Sequence, residues 1–171
     1  TVPKLINEYA ENIEELEEKF KSIKILDPAC GSGAFLIKAT DVMLEIFKAV
    51  QEFKQGSGEY DAKSGLKKKS NTKGQIILSK WNEEEEARDI IENSIHGVDI
   101  NEESVEITKL SLFLKMARKN RKLTDLSSNI KRGNSLVNDS EVAGDLAFDW
   151  DKEYPKVMKK GGFDVVIGNP P

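Results

Sequence analysis

Short apolar runs alternate along this chain with longer segments in which apolar residues recur every three or four positions. The apolar runs predict strands, which lie at residues 23–26, 95–100, 129–131 and 164–167. The periodic segments predict helices, which lie at residues 2–21, 35–53, 81–93 and from Asn101 onward. Strands that alternate with helices form parallel sheets. The pattern predicts an α/β fold, a doubly wound parallel sheet with strand order 3-2-1-4.

A polar segment at residues 54–80 interrupts this pattern. It is rich in Gly, Ser and Lys and has little periodicity, so it predicts a mobile insertion. The chain is then one partial domain, in which residues 1–22 form N-terminal helices and residues 23–50 a strand, a loop and a helix. The remainder, residues 81–171, ends with Asn-Pro-Pro.

Composition excludes several classes of protein. The chain has 171 residues, of which 33% are charged, and a net charge of -4, which suits one soluble globular domain. It has no apolar run of membrane-spanning length and no signal peptide, so we expect a cytoplasmic protein without membrane contact. The single cysteine, Cys30, excludes an internal disulfide and fits packing better than a nucleophilic role.

Charge and acidic residues limit the partners and ligands. A domain that binds DNA alone is usually basic, so we expect DNA contacts to come from other parts of a longer protein. Four consecutive glutamates at residues 83–86 point in different directions around a helix, and we predict no metal site there.

The loop after the first strand predicts a ligand site. The strand ends at Asp27, and the glycine turn at residues 31–33 lets a ligand approach the backbone because glycine has no Cβ. Leu36 replaces the third glycine of a dinucleotide fingerprint, and no P-loop lysine follows, so no phosphate cradle is predicted. Asp27 instead favours a ligand with a cationic amino group. A structural tight turn is the alternative.

A second acidic residue, Asp99, ends the second predicted strand. A carboxylate at this position can accept both hydroxyl protons of a ribose diol, and Ile100 would then lie against an adenine face. The alternative for Asp99 is a helix N-cap, although Asn101 or Ser104 can fill that role instead. His96 lies early in the strand, and we expect it to be structural.

Residues 27–35, reading DPACGSGAF, are similar to the first motif of S-adenosylmethionine-dependent N6-adenine DNA methyltransferases. The phrases GVDI, GNSL and NPP each follow a predicted strand in the family's order. Residues 81–112 and 148–157 look like the methylase segment of bifunctional type II restriction-modification enzymes, and type I modification subunits are somewhat less similar. The resemblance covers residues 24–171 and implies a Rossmann-like methyltransferase fold, present in part.

The resemblance also implies roles for individual residues. The side-chain carbonyl of Asn169 and the backbone carbonyl of Pro170 would accept the two hydrogens of the target amine, which frees the nitrogen lone pair for attack on the methyl group. Pro171 is the third residue of this catalytic motif, and the aromatic residue that normally follows it, which stacks on the flipped target base, is not in this chain. Asn134 would accept a hydrogen bond from the adenine of the cofactor, with a plain Asx turn as the alternative. The implied cofactor-binding residues are Asp27, Pro28, Ala29, Gly31, Gly33, Phe35, Asp99, Ile100 and Asn134.

The function implied is transfer of a methyl group from S-adenosylmethionine to the N6 amino group of adenine in DNA, within a restriction-modification system. Double-stranded DNA would be held by parts of the parent protein outside this chain, and we expect the chain to be inactive alone. One alternative is a protein glutamine N5-methyltransferase, which uses the same Asn-Pro-Pro chemistry on another planar NH2 group. Another is a non-catalytic nucleotide-binding module. Cytosine N4 methylation ranks lower, because it usually goes with Ser in place of Asn169.

Overall fold

The computed structural model describes residues 1–55, 82–116 and 124–169. Within them the strands are β1 (Ile25–Asp27), β2 (Ile95–Asp99), β3 (Ile130–Arg132) and β4 (Val165–Val166). The α-helices are α1 (Val2–Glu8), α2 (Ile13–Ser22), α3 (Ala34–Gln55), α4 (Glu83–Ser94), α5 (Glu102–Met116), α6 (Ser140–Ala143), α7 (Trp150–Glu153) and α8 (Pro155–Met158). Short 3-10 helices cover Ala10–Asn12 and Gly144–Leu146.

The four strands form one parallel sheet in the order β3-β2-β1-β4. Ile25 on β1 pairs with Ile95 on one side and with Val165 on the other. The predicted α/β fold class and strand order are therefore confirmed. Because β2 and β4 lie on opposite sides of β1, the strand order reverses at β1, and doubly wound sheets bind ligands at this reversal.

Helices cover the central strands on both faces. β1 is buried throughout, and β2 is buried at four of its five residues, which is typical of parallel strands inside an α/β protein. On one face, α3, α4 and α5 pack with β1 and β2 in a cluster that includes Leu36, Phe47, Ile91, Ile95 and Leu112. On the other face, a smaller cluster contains Leu26, Val98, Phe148, Tyr154 and Val157.

The predicted N-terminal amphipathic helices are present as α1 and α2. Their buried residues Ile6, Ile13 and Leu16 pack against Ile46 and Val50 of α3. This second layer covers the side of α3 that the sheet leaves free, so α3 is buried from two sides. None of the helices within the described ranges is both long and apolar enough to cross a membrane.

β4 differs from its sequence pattern. An apolar run from Val165 to Ile167 is typical of a strand that is buried on both faces, but the side chain of Val166 is 63% exposed. Among the described residues, β4 pairs only with β1 and lies at the edge of the sheet. The expectation of burial on both faces is wrong for Val166.

The aromatic residues before β4 pack against one another and against His96. Trp150 stacks on Tyr154 with ring centroids 6.0 Å apart, and the ring of His96 makes edge contacts with Tyr154 and Phe163. Burial lowers the pKa of His96 to about 4, so its ring is neutral near pH 7. His96 is thus a structural residue of β2, whose ring packs on the face of the sheet that carries Tyr154 and Phe163.

The predicted insertion at residues 54–80 and the predicted start of the next helix at residue 81 lie mainly outside the described part of the chain. Lys54 and Gln55 continue α3, and the rest of the predicted insertion lies outside the described residues. The next helix begins at Glu83 rather than at residue 81. Its N-cap is Asn82, whose side-chain oxygen accepts a hydrogen bond from the Glu85 N–H at 3.4 Å, as the capping-box spacing predicts.

A buried amide connects α4 to the neighbouring strands. Asn129 is 5% exposed, and its Nδ2 lies 3.1, 2.9 and 2.9 Å from the carbonyl oxygens of Ile91, Glu92 and Ile95. The last carbonyl groups of a helix have no partner within the helix. Asn129 supplies donors to this end of α4 just before the sheet continues into β3.

We expect Asn129→Ala to lower the free energy of unfolding by about 2–3 kcal/mol, because it leaves buried carbonyl groups without a donor. Urea denaturation followed by circular dichroism measures the change. Asn93→Ala is a matched control, since the exposed Asn93 amide donates to the Asp89 carbonyl on the surface of α4. The control should change the stability by less than about 0.5 kcal/mol. Equal effects of the two substitutions would contradict the role of Asn129.

Candidate functional site

The candidate site lies where β1 and β2 end side by side. Asp99 at the end of β2 accepts a hydrogen bond on Oδ2 from the Gly31 N–H, at 2.8 Å, and on Oδ1 from the Asn101 N–H, at 2.9 Å. Each carboxylate oxygen has a second lone pair that can accept a further hydrogen bond. Asp99 therefore fixes the loop after β1 and retains acceptor capacity for a ligand.

The sequence offered the N-cap of α5 as an alternative role for Asp99, and in the structure Asn101 takes that role. The side-chain oxygen of Asn101 accepts a hydrogen bond from the Ser104 N–H at 2.9 Å, at the first turn of α5. This is the geometry of an N-cap residue. Asp99 is thus not the residue that caps α5.

Two glycines shape the loop between β1 and α3. Gly31 has a φ of 52° and Gly33 a φ of 82°, conformations that side chains other than glycine rarely adopt. A Cβ on Gly33 would lie 2.9 Å from the Cγ2 of Thr108, whereas one on Gly31 would meet nothing within 4 Å. Gly31 is therefore required by its conformation, and Gly33 by both its conformation and its contact with α5.

Cys30 packs between the loop and β2. It is 5% exposed, and a Cβ on Gly97 would lie 3.1 Å from its sulfur. Burial raises the pKa of the Cys30 thiol to about 12, so the thiol is protonated near pH 7. This environment agrees with a packing role for Cys30 rather than a nucleophilic one.

Asp27 is the most unusual residue of the site. It is 1% exposed, its Oδ1 accepts a hydrogen bond from the Ala29 N–H at 3.1 Å, and its Oδ2 has no hydrogen-bond partner among the described residues. Burial raises the pKa of Asp27, and the negative charge of Asp99 raises it further. The hydrogen bond from the Ala29 N–H opposes these effects only in part. A buried carboxylate oxygen without a partner is costly. A cationic ligand would supply the missing partner.

The end of β4 passes directly over Asp27. Gly168 has a φ of 149°, and a Cβ at this position would lie 2.7 Å from the Asp27 Oδ1. The next residue, Asn169, is exposed. Pro170 and Pro171 of the predicted catalytic motif lie outside the described residues.

Two apolar side chains are exposed beside these strand ends. Phe35, in the first turn of α3, is 49% exposed, and Ile100, directly after β2, is 52% exposed. Pro28 and Ala29 follow Asp27 and are half-buried. Exposed apolar groups next to a polar edge provide a surface for the flat faces of a ligand.

Asn134 follows β3 next to the same edge of the sheet. The Gly133 N–H donates to the Asp99 carbonyl at 2.9 Å, which holds the end of β3 beside the end of β2. The side-chain oxygen of Asn134 accepts a hydrogen bond from the Leu136 N–H at 3.1 Å. This is the Asx turn that the sequence left open as an alternative.

Thr108 is a residue of the site that the sequence patterns did not reveal. Its side chain is fully buried, and its hydroxyl donates to the Gly31 carbonyl at 2.7 Å. It lies among the apolar residues of α5, where a threonine carries no recognisable functional pattern. The one available signal was a polar residue on the buried face of a helix.

Comparisons with known proteins agree with the predicted resemblance. Residues 93–171 match the family model of the Eco57I restriction-modification methylase. The chain is 30% identical over 152 residues to a Methanocaldococcus jannaschii protein named as a type II restriction enzyme and methyltransferase, covering 80% of this chain and 11% of that protein. The chain is thus similar to a restriction-modification methylase segment, as the sequence motifs predicted.

Two further relatives are named adenine-specific methyltransferase PglX. The protein from Lacticaseibacillus casei is 26% identical over 110 residues, which are 64% of this chain and 7% of that protein. The protein from Streptomyces coelicolor is 24% identical over 176 residues, covering 89% of this chain and 12% of that protein. The chain therefore spans about a tenth of the length of these curated relatives. No solved structure matches it.

We expect Asp27→Asn to stabilise the folded chain near pH 7, because it removes a buried charge and keeps an acceptor for the Ala29 N–H. The advantage should shrink as the pH falls. The folded state holds the Asp27 proton above the ordinary pKa of 3.8, so the wild type loses stability as the pH rises from 3.8 through the raised pKa. Near or below pH 3.8 both side chains are neutral and the difference is smallest.

Urea denaturation at a series of pH values, from about 4 to about 7.5, measures this difference between the variant and the wild type. Asp145→Asn, at an exposed position, is the matched control and should show no gain that grows with pH. A gain that is independent of pH, or that is equal in the two variants, would contradict the burial of an unpaired charge at Asp27.

Proposed function

We propose, for a chain that carries a segment of the Eco57I restriction-modification methylase family, that its site binds S-adenosylmethionine and serves methyl transfer to the N6 amino group of adenine in DNA. The observation that carries this proposal is the buried Oδ2 of Asp27 at the end of β1, which has no hydrogen-bond partner among the residues that the structure describes, with Asp99 at the end of the neighbouring β2. A ligand with an ammonium group at one end and a ribose diol at the other would satisfy both carboxylates.

Asp27 is our candidate for the methionine end of the cofactor. A carboxylate that is removed from water pairs strongly with an ammonium group, since few solvent dipoles compete for either charge. Pairing would also favour the charged form of Asp27 and thus lower its raised pKa. The cost of the buried carboxylate in the free chain would then be recovered when the cofactor binds.

Asp99 is our candidate for the ribose end. The Gly31 and Asn101 N–H groups orient its carboxylate, and the remaining lone pairs can accept the protons of two adjacent hydroxyl groups. The exposed side chains of Ile100 and Phe35 would pack against the adenosine part. Asn134 keeps one side-chain lone pair beyond its Asx turn, which can accept a proton from the adenine amino group.

The loop would form the floor of the cofactor site through Pro28, Ala29, Gly31 and Gly33. The absence of side chains on the two glycines leaves the backbone open to a ligand. S-adenosylmethionine supplies an electrophilic methyl group on its sulfonium. The residues of this chain bind and orient the cofactor and provide hydrogen-bond acceptors for the amine that is methylated.

Asn169, with Pro170 and Pro171, is our candidate for the catalytic motif. The Asn169 side-chain carbonyl and the Pro170 backbone carbonyl would accept the two hydrogens of the target NH2 group. This holds the nitrogen lone pair out of conjugation and directs it toward the methyl group. The contact of Gly168 with Asp27 supports the assignment, because it keeps Asn169 near the proposed methionine end of the cofactor.

DNA is our proposed substrate, on the names of the relatives and on the shared motifs. The net charge of -4 favours DNA binding through other parts of a longer protein. We place this protein in the cytoplasm. A glutamine side-chain amide offers the same planar NH2 group and is the second candidate acceptor. The relatives that are named as a restriction enzyme or as adenine-specific methyltransferases favour DNA over protein.

Calorimetric titration with S-adenosylmethionine, with NAD as the control ligand, tests the cofactor. We expect the chain to bind S-adenosylmethionine alone. Asp99→Ala should abolish detectable binding, and Asp27→Asn should weaken it by roughly 10- to 100-fold, because each removes a charge-assisted contact. Asp145→Asn should bind like the wild type. Binding of NAD alone, or full affinity in Asp99→Ala, would refute the proposed cofactor site.

Transfer of a radiolabelled methyl group tests the reaction, in the longest natural protein that contains this chain. We expect label in DNA adenine, and Asn169→Ala should lower the transfer rate by at least about 100-fold with the cofactor affinity unchanged, since Asn169 acts on the amine. Asn93→Ala is the control for an exposed asparagine. Label in protein glutamine rather than in DNA would favour the second candidate acceptor.

A further inference from the structure

Thr108 of α5 contacts the glycine loop through both branches of its side chain. Its hydroxyl donates to the Gly31 carbonyl at 2.7 Å and lies 3.9 Å from the Cys30 sulfur, which is a weak donor to it. Its methyl group lies against Gly33, where a Cβ would come within 2.9 Å of it. The side chain of Thr108 is fully buried, so water does not compete for these contacts.

α5 is a firm support for this contact. Val105, Leu112 and Met116 of the same helix are buried in the core around β1 and β2. The helix starts at Glu102, three residues after Asp99, with Asn101 as its N-cap. The position of Thr108 is therefore set by the core and by the end of β2, and not by the loop that it contacts.

Gly31 is held at both of its backbone polar groups. Its N–H donates to the Asp99 carboxylate, and its carbonyl accepts from the Thr108 hydroxyl. Both partners come from the continuous segment formed by the end of β2 and α5. Gly31 has a φ of 52°, and a glycine without such partners has access to many other conformations.

We propose that Thr108 is a positioning residue, whose hydroxyl holds the Gly31 peptide in the orientation that binds the cofactor. Asp99 and Thr108 then act together, because the residue proposed to bind the ribose and the residue that fixes the loop belong to one rigid segment. The identity of the cofactor in this inference rests on the proposed function. The effect of Thr108 on the loop does not depend on it.

Two substitutions separate the two branches of the Thr108 side chain. Thr108→Val keeps the methyl group against Gly33 and removes the donor, whereas Thr108→Ser keeps the donor and removes the methyl group. Thr40→Val is the matched control, since Thr40 is also fully buried but its hydroxyl donates to the Leu36 carbonyl within α3. The control removes the same group from the core without touching the loop.

Hydrogen–deuterium exchange of the ligand-free chain tests the effect on the loop. We expect Thr108→Val to speed exchange in peptides that cover residues 29–35 by about five-fold, as the loss of one hydrogen bond allows. Thr108→Ser and Thr40→Val should leave exchange in these peptides close to that of the wild type. Equal exchange in Thr108→Val and Thr40→Val would overturn the positioning role.

Titration of the same four proteins with S-adenosylmethionine tests the link to binding. We expect the dissociation constant to rise about 5- to 10-fold in Thr108→Val, to stay within about two-fold in Thr108→Ser, and to stay unchanged in Thr40→Val. Faster loop exchange with unchanged affinity in Thr108→Val would overturn the role in binding. If the wild type does not bind, the proposed cofactor is wrong, and the exchange measurement alone decides the role of Thr108 in the loop.

Discussion

The parallel pairing of β1 with β2 is the constraint on which the site depends. Parallel strands cannot be joined by a tight turn, so the chain passes through α3 and α4 before it returns beside β1. The pairing of Ile25 with Ile95 then brings the strand ends to one edge. Gly31 and Asp99 meet there although they are 68 positions apart in the sequence. The hydrogen bond from the Gly31 N–H to the Asp99 carboxylate thus joins the loop after β1 to the end of β2.

Asp27 also shows how a residue proposed to bind a ligand can oppose folding. Asp27 occupies a position in the sheet where an apolar residue would be less costly, and its Oδ2 lacks a partner among the described residues. A carboxylate that is to bind a cation needs at least one acceptor site that the free protein leaves open. The surrounding core, with β1 buried on both faces, supplies the stability that tolerates it.

The sequence predicts those features that depend on local pattern and on strand order. Apolar runs mark the strands, and an acid at the end of each of the first two runs indicates that Asp27 and Asp99 lie at the same edge once the sheet is parallel. Residues whose role depends on one tertiary contact are harder. The spacing that places Thr108 on the buried face of α5 does not say that it faces Gly31, and Asn129 gives no sign that its amide reaches α4. Val166 is exposed because no element within the described residues covers its side chain, and its apolar neighbours in the sequence do not indicate this.

The contact between Gly168 and Asp27 links two parts of the site that are far apart in the sequence. A Cβ at position 168 would lie 2.7 Å from the Asp27 Oδ1, so the end of β4 comes this close to Asp27 only because position 168 is a glycine. Any larger residue there would separate the two strand ends, and the shift would reach Asp27 and Asn169 together. Position 168 is therefore a point at which a single substitution would alter two residues at once, the one proposed to bind the cofactor and the one proposed to bind the target amine.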